Sequence, residues 1–162
     1  MILQKLTDYL SKTTNEGYDH RLEEPELTAK EYTDDKGNTQ LHKEITRSDS
    51  KFLLKHEDVS KLKNKRGETP LHLAAWHHKE AISHPHASTV KDDDKVTPLH
   101  NAAEPFKEVL NHPDVSKVKD SDGVTPLHIA AIYHPDASKH PDYTKVKDNR
   151  GLTPKDFAEG KG

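Results

Sequence analysis

Histidine is the residue type in this chain with the widest chemical reach: 13 occur among 162 residues, interspersed with 28 acidic groups. An imidazole beside a carboxylate can act as a general base, a metal ligand or a structural hydrogen-bonder. Repetition discriminates between these roles. His42, His72, His100 and His128 occupy one recurring place, and His56, His84, His112 and His140 occupy another. A catalytic base is needed once, so both sets read as structural, the first tying neighbouring loops and the second meeting exposed carbonyls at a helix end. Of the remainder, His77 and His78 with His84 and His86 could gather imidazoles for zinc or nickel. There is no cysteine, no His-Glu-x-x-His and no fixed ligand spacing to support this, so no metal site is expected. Asp92, Asp93 and Asp94 read as a solvated turn. With no nucleophile elbow, phosphate-cradling glycine loop or dinucleotide fingerprint, neither an enzyme nor a cofactor is expected.

The elements that must position these residues repeat. The threonines Thr39, Thr69, Thr97, Thr125 and Thr153 follow one another at steps of 30, 28, 28 and 28. A second phrase keeps the same register: KHEDVSKLKN from Lys55, SHPHASTVKD from Ser83, NHPDVSKVKD from Asn111 and KHPDYTKVKD from Lys139. Two phrases in one register predict stacked supersecondary units. In each unit Asp/Asn-x-x-Gly is turn chemistry, threonine is a helix N-cap, and proline suits the first helical position. The following helix buries Leu127, Ala130 and Ala131 in the fourth unit. A very short second helix is expected next, clearest as PFKEVL, starting at Pro105 and burying Phe106, Val109 and Leu110. The proline of each His-Pro pair ends it, and Val115 and Val118 then face inward.

D-x-x-G-x-T-P-L-H-x-A-A, as in Asp120–Ala131, is similar to the ankyrin-repeat signature, and the resemblance covers roughly residues 34–162. It implies an all-α fold: a solenoid of stacked helix-turn-helix units with short hairpin tips. Units are expected at about 34–63, 64–91, 92–119 and 120–147, with a partial one at 148–162. The family's unit is about 33 residues long, so these units are shorter by about five, in the segment that normally builds the second helix. That places the second helices in doubt, above all PDASK at 135–139. Lys95 also departs from the pattern by replacing the turn glycine. In this setting Thr69, His72, Thr97, His100, Thr125 and His128 are expected to hold the architecture together.

What the resemblance leaves for binding is surface. By motif position, the tips offer Lys65, Arg66 and Glu68, then Asp93, Asp94 and Val96, then Ser121, Asp122 and Val124. The places after the paired alanines hold Trp76 and His77, Glu104 and Pro105, and Ile132 and Tyr133. Trp76 reads equally as a binding anchor and as filler folded inward, whereas Ile132 reads as somewhat more inward. Residues 1–33 stand outside the repeat, with Ile2, Leu3, Leu6, Tyr9 and Leu10 on one face of an expected capping helix; Thr28 to Glu31 form a weak capping box.

Apolar residues make up 30% of the chain and charged ones 33%, too little for one thick core and suited to a thin core shared along small units. The net charge of -3 is mixed along the chain, without the basic block of a nucleic-acid binder. No signal peptide or membrane span is evident. The expectation is therefore a monomeric, non-catalytic scaffold for a partner protein, in the cytoplasm or delivered to a host cytosol. The other class of reading is a targeting fragment of a larger enzyme or secreted effector.

Overall fold

Thr-Pro starts a helix for two additive reasons. Threonine holds an extended conformation outside the helix, while proline brings a fixed φ and no N–H to leave unbonded. A computed structural model describes residues 33–162, and within them threonine N-caps precede five α-helices: α1 (Gln40–Glu44), α2 (Pro70–His77), α3 (Pro98–Ala102), α4 (Pro126–Tyr133) and α5 (Pro154–Ala158). No strand occurs among the described residues, so the fold there is all-α. The capping helix and capping box expected within 1–32 lie outside the described residues.

A short second helix follows each of the first four α-helices, and every one is a five-residue 3₁₀ helix: Lys51–Lys55, Lys79–Ser83, Lys107–Asn111 and Pro135–Lys139. A 3₁₀ helix gains about 2.0 Å per residue against 1.5 Å in an α-helix. A shortened segment can thus still cross its unit. PDASK, the doubtful case, forms one of these helices with proline in its first turn and Ala137 buried beneath it. The third unit differs in detail from the expectation. Its second helix begins at Lys107, not Pro105, and Phe106 is its extended N-cap. Val109 is fully buried, while Phe106, Leu110 and Val118 pack half-buried against the core.

Hydrogen bonds join the units at two levels. At the tips, one backbone N–H of each turn donates to the preceding turn: Lys65 to Lys36 at 2.9 Å, Asp93 to Arg66 at 3.2 Å, Ser121 to Asp94 and Asn149 to Asp122 at 2.9 Å. Further in, the N–H groups of Leu71, Leu99 and Leu127 donate at 2.8–2.9 Å to the carbonyls of Val59, Ala87 and Val115 in the unit before. Between these levels runs the core, a row of Leu41, Leu71, Leu99 and Leu127, each with no exposure, flanked by the paired alanines. Alanine's small volume brings adjacent helices close, and α2 contacts α3 as α4 contacts α5. No helix among the described residues is long and apolar enough to cross a membrane.

Candidate functional site

Every repeated Thr-x-x-His closes the same local circuit. The backbone N–H of Thr69 donates to His72 Nδ1 at 3.0 Å, and the Thr69 hydroxyl lies 2.9 Å from the same nitrogen. A histidine at the third helical position here takes the part that Glu or Gln plays in the usual capping box. Because Nδ1 accepts, the ring proton sits on Nε2, which donates onward to the Val96 carbonyl of the next unit at 3.1 Å. His42, His100 and His128 repeat the arrangement on the carbonyls of Glu68, Val124 and Leu152 at 3.1–3.2 Å. Burial favours the neutral ring, and desolvation pushes His100 down to about 4. The same cause lowers His42, His72 and His128. These rings are held neutral with both nitrogens engaged, which removes them from acid–base or metal chemistry.

The other repeated histidines do something different from the expectation. His56, His84, His112 and His140 accept at Nδ1 from the backbone N–H two residues on, each at 3.1 Å. They bind the start of the following turn rather than carbonyls at the helix end, since an unprotonated nitrogen can only accept. His77, His78, His84 and His86 do not gather into one group of ligands. His78 is buried, its Nε2–H donating to the Ile45 carbonyl at 2.7 Å, and the rings of His84 and His86 lie 5.6 Å apart. No group of three potential metal ligands occurs among the described residues.

At the tips, Asn64, Asp92, Asp120 and Asp148 each accept at Oδ1 from the backbone N–H groups two and four residues on, at 2.8–3.0 Å. The side chains of Lys65, Arg66, Asp93, Asp94 and Asp122 stand exposed around this frame. Glu68 and Ser121, though on the same rim, are engaged internally. Glu68 accepts from Asn64 Nδ2 at 2.9 Å, and the Ser121 hydroxyl donates to the Asp94 carbonyl at 2.7 Å. Val96 and Val124 are half-buried and give their carbonyls to the histidines.

The places after the paired alanines point outward. Trp76 is 42% exposed, Ile132 52% and Tyr133 48%. The inward reading of Ile132 is therefore corrected: Ala81, Val109 and Ala137 of the 3₁₀ helices are buried in the core, while Ile132 stands half outside it. His77 and Pro105 are exposed as well, and Glu104 is half-buried. One departure escaped the sequence reading. In the fifth unit Asp156 stands at the histidine place and caps Thr153, accepting from its N–H at 2.9 Å and its hydroxyl at 2.6 Å. These bonds hold its carboxyl down to about 2. The signal was present in Thr153-Pro-Lys-Asp156, where aspartate replaces histidine and so lacks a second nitrogen to reach onward. Beside it Phe157 meets the His128 ring edge-on at 4.9 Å, and Arg150 lies over Phe157 at 5.6 Å.

No known family model matches the chain, and a comparison with curated protein sequences finds no match.

Proposed function

We propose that residues 34–162 form an ankyrin-like α-solenoid whose function is non-catalytic binding of a partner protein, as a monomer in a cytosol. One observation carries this reading. The four Thr-x-x-His histidines are engaged inside the fold, while the exposed large apolar side chains Trp76, Ile132 and Tyr133 occupy the two adjacent motif positions after the paired alanines, at the ends of α2 and α4. A surface built from the same place in successive units is continuous, and a rigid aromatic such as Trp76 suits it as an anchor. The exposed tip charges, Lys65 and Arg66 in one unit and Asp93 and Asp94 in the next, would set register and association rate.

The test is retention of proteins from a cell extract by the full chain, by K65E/R66E and by D93K/D94K. The expected outcome is a protein held by the wild type and released by at least one charge reversal. Identical retention by all three chains would overturn the reading.

A further inference from the structure

We propose that the row of side chains following the paired alanines recognises an extended segment of a partner polypeptide carrying a lysine or arginine between two apolar residues, with Glu104 as the cation acceptor. This rests on the scaffold reading and specifies the chemistry of its partner.

Residue 104 lies 28 places after Trp76 and 28 before Ile132, so the three hold equivalent places in the repeat register, Trp76 and Ile132 on α2 and α4 and Glu104 in the turn just past the end of α3. The flanking pair is exposed and apolar, with Tyr133 beside Ile132. Between them stands a carboxylate that no other described residue engages by a hydrogen bond or ion pair. The surrounding unit has surplus negative charge: residues 92–119 hold six carboxylates and four lysines. By contrast, residues 64–91 hold four basic and two acidic groups, so Glu104 belongs to the more acidic of the two units. A half-buried carboxylate between apolar neighbours pairs with a cation more strongly than a fully hydrated one, because water competes less.

Spacing selects the form of the segment. Packed helices lie about 8–10 Å apart. A polyproline-II chain rises about 3.1 Å per residue with three residues per turn, so every third side chain returns to one face after about 9.3 Å. An apolar residue, a cation three places on and a second apolar residue after three more therefore meet Trp76, Glu104 and the Ile132–Tyr133 pair in order. A flat strand alternates faces at each residue and would turn the middle side chain away.

The experiment pans a displayed library of random 12-residue peptides on the full chain, then measures a synthetic consensus peptide by fluorescence polarisation. The expected consensus carries lysine or arginine with apolar residues three places to either side. Glu104→Lys should weaken that peptide at least tenfold while keeping the wild-type melting temperature, and Trp76→Ala should weaken it comparably. Selection on Glu104→Lys should exchange the cation for Asp or Glu. A consensus without a cation, or binding indifferent to Glu104→Lys, would overturn the inference. If such peptides are nonetheless released by K65E/R66E or D93K/D94K, the scaffold reading stands without it. Enrichment of no peptide at all overturns the inference, and the extract experiment then judges the scaffold reading separately.

Discussion

Lys95 occupies a turn place that is glycine in the neighbouring tips, and it adopts the glycine conformation there, with φ at 62°. A left-handed backbone costs an L-residue roughly 1–2 kcal/mol that glycine escapes, partly offset by glycine's freer unfolded chain. Lys95→Gly is expected to raise stability by about 1 kcal/mol, read as a higher urea midpoint at unchanged slope. Gly67→Ala should do the reverse and lose at least about 1 kcal/mol, because its φ is 75° and an added Cβ would lie 2.8 Å from the Asp93 backbone nitrogen. The departure at Lys95 was legible from the motif. That the turn keeps its shape became clear only from the frame around it. Asp92 holds the N–H groups of Asp94 and Val96, and Ser121 of the next tip grips the Asp94 carbonyl.

At the scale of elements, α3 stops at Ala102 while α2 and α4 run three residues further, to His77 and Tyr133. One residue enforces the stop in this unit, although α1 and α5 end at the same place without a proline. Pro105 sits where His77 and Tyr133 sit, has no N–H to donate back to Asn101, and disfavours helix at Glu104. Pro105→Ala is expected to extend α3 through residue 105. Amide exchange should show that N–H protected to the level of Tyr133, with global stability within about 1 kcal/mol of wild type. A residue-105 amide exchanging at the unprotected rate would refute this cause. The proline and its register were plain in the sequence. The second helices were expected but in doubt, and their 3₁₀ form was not legible, because five residues such as PDASK carry no periodicity and burial of one residue such as Ala137 decides their form.

Across the whole molecule, the buried histidines make stability depend on pH. His100 titrates at about 4 in the fold against an ordinary value of 6.5, and His42, His72 and His128 are lowered by the same desolvation. Between those values the unfolded chain binds more protons than the folded one, so stability is full above about 6.5 and falls as pH drops toward 4. His100 alone accounts for on the order of 3 kcal/mol of this loss. Urea midpoints at pH 7.5, 5.5 and 4.5 are expected to fall steeply, and His100→Gln should flatten the decline while lowering stability at pH 7.5. A midpoint constant from 7.5 to 4.5 would show that these rings are not held neutral. Below about 4 the lowered carboxyl of Asp156 continues the trend, losing its caps to Thr153 as it protonates.

The repeat register, the helix starts and the placement of the histidines at structural positions follow from the sequence alone, because Thr-Pro, Asp-x-x-Gly and His-Pro act through the local backbone and mean the same wherever they recur. Which side chains face solvent after the paired alanines does not follow from it. Trp76, Ile132 and Tyr133 are apolar and could as well fill a core as cover it. Only the tertiary structure decides, because the space beneath them depends on how tightly the 3₁₀ helices of the same and neighbouring units close. The partnerless state of Glu104 among the described residues belongs to the same order of fact, set by packing between units that share no local sequence.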